Sequence, residues 1–148
     1  MKLGAVTVFL VILLSGCKTS PYPGYSEIEE GVMYYRLFMF GYDELTPSIG
    51  DYITVDIAYQ TMSDSIFFRG NRTFQLTEST FAGSIEQCFM MLAEHDSASF
   101  IISADNLFTK TLQTDLPSFI QPNSMMKVGI HMQKIRTEKE YIREKREF

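Results

Sequence analysis

Between Gly83 and Phe108 the apolar positions change period once, and the change marks a helix running straight into a strand. Ile85, Cys88, Phe89 and Leu92 fall at i, i+3, i+4 and i+7, the spacing that gathers residues on one helical face. Glu86, Gln87 and Glu94 avoid that face. Ser84 stands where an N-cap belongs, and Gln87 three residues on completes the spacing of a capping box. The period breaks at His95-Asp96. From there Ala98, Phe100 and Ile102 alternate with Ser99, Ile101 and Ser103, as side chains do on the two faces of a strand. A short helix with so apolar a face needs a sheet to lie on.

The rest of the chain supplies the strands. Val32 to Phe40 is rich in aromatic and apolar residues and predicts one strand. Gly41 to Gly50, with Pro47, predicts a loop. Asp51 to Tyr59 alternates, with Ile53, Val55, Ile57 and Tyr59 on one face and Tyr52, Thr54, Asp56 and Ala58 on the other. Ile66 to Phe68 and Thr73 to Leu76 predict two short pieces around a turn at Arg69-Gly70-Asn71-Arg72. Asn106 to Asn123, with Pro117 and Pro122, predicts a long connection, a length that in a compact domain is usually functional or mobile. Met125 to Ile135 alternates as a last strand. Lys134 to Phe148 has 10 charged residues among 15; Thr137 and Glu140 make a second capping-box spacing and predict a solvated terminal helix. The order predicts an α+β domain, an antiparallel sheet half-wrapped around one short helix, with a charged C-terminal helix.

Composition narrows the function. The 148 residues carry a net charge of −5, which gives nucleic acid no reason to bind. Neither His95 nor His131 has a cysteine or carboxylate at metal-ligand spacing, so no zinc site is expected. No phosphate loop or nucleophile elbow occurs. Of the two cysteines, Cys88 lies on the apolar helix face and reads as a small buried hydrophobe rather than a reactive thiol. Cys17 reads differently. Lys2 precedes an apolar run from Leu3 to Leu14, too short to span a bilayer, and Leu14-Ser15-Gly16-Cys17 resembles a bacterial lipobox. We therefore expect a signal peptide over residues 1–16, lipid on Cys17, and a tether over 17–30, where Pro21, Pro23 and Gly24 disfavour a core. The domain is expected over 31–135 and the tail over 136–148. Lys18 rather than Asp follows the cysteine; by resemblance to known sorting rules this points to the outer membrane, facing the periplasm.

The element order and four local motifs resemble the FKBP family of peptidyl-prolyl cis-trans isomerases, from about Gly31 to Ile135. Gly50-Asp51-Tyr52-Ile53-Thr54-Val55 with Tyr59 looks like one family stretch. Ser84 to Ile102 looks like the helix and following strand, and Leu116-Pro117 with Asn123 to Met132 like the proline loop and closing strand. The lipobox, tether and tail are similar to a lipoprotein branch that includes gliding-motility-associated members. The resemblance implies a proline pocket needing no cofactor. It gives catalytic roles to Tyr59, Phe68 and Phe108, and substrate-binding roles to Phe81, Ala82, Ile85 and Val128. Departures accompany it. Arg69 stands where a carboxylate is expected, Ile85 where a floor tryptophan is, Phe108 where a tyrosine hydroxyl would bond the substrate, and Val128 where a phenylalanine is. The partners implied are proline-containing peptides or envelope proteins, and the membrane through Cys17. Two functions follow: a weakened isomerase assisting folding in the cell envelope, or a non-catalytic binding module of an envelope complex.

Overall fold

Six strands form one antiparallel sheet in the order β1-β2-β5-β6-β3-β4. The structure is a computed structural model and describes residues 20–29 and 31–148. The expected signal peptide, the lipobox and Cys17 lie outside the described residues. The strands are β1 (Ser26–Glu29), β2 (Met33–Met39), β3 (Tyr52–Gln60), β4 (Ile66–Gln75), β5 (Ser97–Ser103) and β6 (Met125–Arg136). Helix α1 (Ile85–Met90) precedes β5. A single turn α2 (Ala104–Asn106) follows β5 and widens into a π-helical turn, Leu107–Thr111, and α3 (Glu138–Arg146) closes the chain.

The alternation read from the sequence sets the core. Ile53, Val55, Ile57 and Tyr59 of β3, Phe100 and Ile102 of β5, and Met126, Val128, Ile130 and Met132 of β6 share the inner face. Ile85, Cys88, Phe89 and Leu92 lie against them, all buried. Each large apolar side chain withdrawn from water contributes roughly 1.5–3 kcal/mol, so this ridge docks the helix. Burial also pushes the Cys88 thiol far above its ordinary range, and its sulfur sits 3.6 Å from Met33 Sδ.

The break at His95-Asp96 has a physical basis. Asp96 accepts hydrogen bonds from the Ala93 amide at 2.9 Å and from the Gly41 amide at 2.7 Å, so one carboxylate ends the helical segment and holds the β2–β3 loop. His95 takes φ 71° and donates its amide to the Met132 carbonyl at 2.7 Å.

Four expectations are corrected. First, Arg69 to Arg72 is not a turn: β4 runs unbroken, with Arg69, Gly70, Asn71 and Arg72 opposite Ala58, Ile57, Asp56 and Val55. Asn71 donates to Asp56 at 2.8 Å across the pair, and Thr54 bonds Thr73 at 2.8 Å, so cross-strand partners override the turn propensity of Gly and Asn. Second, the stretch 17–30 is not all tether. Ser26–Glu29 is β1, and Tyr22 packs edge-on against Tyr34 at 4.8 Å. Tyr25 donates to Ser99 Oγ at 2.9 Å. This cover explains why Ser99, on the outer face of β5, is buried. Third, Ser84 does not cap α1 with its hydroxyl, which bonds Ser79 Oγ at 2.7 Å, while Gln87 Oε1 accepts from the Gly83 amide at 2.6 Å. Fourth, the connection after β5 begins as helix. The second capping box does form: Glu140 donates its amide to Thr137 Oγ1 at 3.3 Å and accepts from the Thr137 amide at 2.8 Å. Tyr141 of α3 stacks on Tyr52 at 3.8 Å.

Gly83 turns the chain into α1 with φ 78°, and a Cβ there would lie 2.5 Å from Val32 Cγ1. Gly31 also has positive φ, 71°, but faces open space. We expect Gly83→Ala to cost about 2 kcal/mol or more, and Gly31→Ala only about 1 kcal/mol, because only the first adds a collision to the strained backbone. Urea midpoints of the two variants check this; equal costs would contradict it.

Candidate active site

One wall of the site begins at a defect in the β3–β4 ladder. Tyr59 pairs with Phe68, but the next pair is Gln60 with Ile66, which leaves Phe67 as an extra residue on β4. Adjacent strand residues normally face opposite sides; a bulge lets two neighbours face one way. Phe67 and Phe68 therefore both line the same cavity as Tyr59. The Tyr59 ring lies 5.0 Å from that of Phe68 and 6.2 Å from that of Phe67. Phe67 reaches on to Phe108 at 6.4 Å and Phe119 at 5.1 Å.

The opposite wall comes from α1 and the π-helical turn. Ile85, Glu86 and Phe89 are supplied by the helix; Phe108 and Thr111 come from the turn and Leu112 from its C-terminal cap, with Pro117 beyond. The wider π repeat is often found at functional sites. Together these groups enclose a cavity of about 610 Å³, lined mainly by apolar atoms. Two polar groups stand out. Arg72 lies with its guanidinium carbon 5.6 Å from the Phe68 ring centroid. Thr111 has its hydroxyl oxygen buried with no hydrogen-bond partner.

Of the residues expected at the site, Tyr59, Phe68, Phe108 and Ile85 are brought together. Three are not. Val128 is fully buried, flanked in register by Tyr59 and Phe100, so it backs the wall and offers no surface. Phe81 and Ala82 lie outside the lining. The Phe81 carbonyl accepts from Ser79 Oγ at 2.8 Å and its ring faces Lys110 Nζ at 4.9 Å. Arg69, at the expected carboxylate position, points from the outer face, where it shares a separate groove with Tyr25 and His131. Phe67, Arg72 and Thr111 were missed. Reading 66–75 as one strand would have placed Arg72 with Phe68, but no signal announced the bulge that turns Phe67 inward or the turn that presents Thr111.

Gly70 is part of this design. A Cβ there would lie 3.0 Å from Phe68 Cζ and 3.1 Å from Arg72 Nη1. The missing side chain gives the ring and the guanidinium room to lie over the strand.

The Tyr59 phenol is held above its ordinary value of 10.0, with burial outweighing the opposing pull of the Arg72 guanidinium. A proton held more tightly in the folded state stabilises the fold below pH 10; that share is lost as pH rises through the folded value. We expect the phenolate absorbance of Tyr59, taken as the difference from Tyr59→Phe, to appear above that of free tyrosine. Arg72→Gln should move it higher still. A shift downward in that variant would contradict the geometry.

No family model matches the sequence, and no curated protein matches it. Solved structures do match in fold. FkpA from Escherichia coli aligns with a TM-score of 0.59 at 12% identity, over 79% of this chain and 54% of that one. This chain thus spans about half the length of FkpA. A peptidyl-prolyl cis-trans isomerase from Pseudomonas syringae pv. tomato aligns with a TM-score of 0.60 at 13% identity, over 79% of this chain and 84% of that one. At such identities the likeness is one of architecture, and the fold of this chain is FKBP-like.

Proposed function

We propose that this chain is a peptidyl-prolyl cis-trans isomerase, held at the membrane by lipid on Cys17 and acting on proline-containing segments of cell-envelope proteins. The observation that carries the reading is the aromatic cavity of Tyr59, Phe67, Phe68 and Phe108. Rotation about an X-Pro bond meets a barrier of ~20 kcal/mol, because the twisted amide loses its resonance. No covalent step is required. A dry aromatic pocket that holds the twisted imide better than the planar one lowers the barrier by differential binding. The fold neighbours support the reading, one being an isomerase by its own description.

The chemistry here is pared down. Phe108 has no hydroxyl for the substrate, and Arg69 offers no carboxylate to the phenol. These two features favour a second reading, a binding module that holds proline segments without turning them over. The finer assignment, to a lipoprotein branch facing the periplasm from the outer membrane, rests on Leu14 to Lys18 alone. On that assignment several acyl chains, each buried CH₂ contributing ~0.8 kcal/mol, hold the protein in place.

Exchange spectroscopy on a proline peptide with the purified chain tests turnover. We expect measurable acceleration that falls about tenfold or more in Phe67→Ala, the loss of roughly 1.4 kcal/mol of transition-state stabilisation. Peptide capture with no acceleration over buffer would leave the binding module standing and reject the enzyme. Mass spectrometry of the mature N-terminus reads the lipid on Cys17; an unmodified cysteine would reject the anchor.

A further inference from the structure

An exposed cation stands in the lining of the cavity. Arg72 spends one donor, Nη1, on the Asn71 carbonyl at 2.9 Å. Among the described residues it makes no ion pair, although Arg136 and Lys134 share Glu144 and Lys127 holds Asp64 at 2.6 Å. A guanidinium carries five N–H donors in a planar fork suited to a carboxylate. The fork lies beside the Phe68 ring, in the room that the missing side chain of Gly70 leaves. Glu86 lines the same cavity from α1 without pairing to Arg72.

We propose that the cavity selects segments in which an aspartate or glutamate neighbours the proline, with Arg72 receiving the side-chain carboxylate. This deepens the reading of the cavity as a proline site and rests on it. The net charge of −5 works against acidic segments at long range. The preference is therefore local, set by contact with one fork rather than by the field of the whole molecule.

The test separates binding from turnover. Labelled five-residue peptides carrying Asp, Ala or Lys immediately before the proline, and a second set with the same residues after it, are titrated against the full chain by fluorescence anisotropy. Exchange spectroscopy reads isomerisation of the same peptides. In at least one set the Asp peptide should bind about five- to tenfold tighter than the Ala peptide, as a charge-assisted fork contact allows, with the Lys peptide weakest. Arg72→Gln should bring the Asp-to-Ala ratio to within about twofold of unity. Arg69→Gln, the same charge change on the outer face, should keep the ratio. Equal binding of Asp and Ala peptides in both sets, or a ratio that survives Arg72→Gln, overturns the proposal. A preference without turnover leaves the selectivity in place and rejects the isomerase; turnover without preference does the reverse. Binding of no peptide rejects both.

Discussion

One short helix has to cover a sheet far larger than itself, and the rest of the molecule follows from that mismatch. Helix α1 has six residues and is about 9 Å long. Strands β3, β4 and β6 have 9 to 12 residues and run to roughly 30–40 Å. The Ile85–Leu92 ridge is wholly buried, yet it can seal only part of the inner face. The uncovered remainder would be exposed apolar surface unless the chain did something else with it. The turn after α2 and the Pro117 segment rim the remainder instead of filling it, and the space left is the cavity.

What fills the walls of that space decides its chemistry. Aromatic rings give a dry, shaped surface with little polar character, and their edges and faces pack at 5.0 to 6.4 Å without closing the gap. Into this surface the chain sets an arginine and a tyrosine whose phenol burial holds above its ordinary value. Each acts as a hydrogen-bond donor or a cation at ordinary pH, while Glu86 is the one acid in the lining. A site built this way suits a ligand that brings acceptors, which a peptide backbone does in every residue.

Much of this architecture was legible in the residues. The period change at His95-Asp96, the alternation in β3 and β6 and the box at Thr137 each need only local rules, and each is realised. Legibility fails where a contact distant in sequence overrides a local preference. Arg69 to Arg72 has the residues of a turn, but Asp56 and Thr54 hold it in a ladder 15 and 19 residues away. Tyr25 sits in a Pro-rich stretch with no pattern of its own, and Ser99, 74 residues on, draws it to the sheet. At the site, Tyr59, Phe68 and Phe108 were placed by the family resemblance, and the cavity brings them together. Phe67 was not, because a bulge is a break in alternation that the sequence does not mark. Val128 failed for the opposite reason: it obeys alternation so well that it lies in the middle of the core.

The cover on the outer face links the fold to the proposed anchor. Tyr22 against Tyr34 and Tyr25 against Ser99 pin residues 22 to 25 to the side of the sheet away from the cavity. On the proposed attachment at Cys17, four residues separate the lipidated cysteine from Tyr22, the first pinned ring, a lead of five residue steps. Fully extended they reach roughly 17 Å, about half the length of the longest strand. With lipid on Cys17, so short a lead would hold the outer face toward the bilayer. The aromatic cavity, lined from the other face of the sheet, would then point away from the lipid.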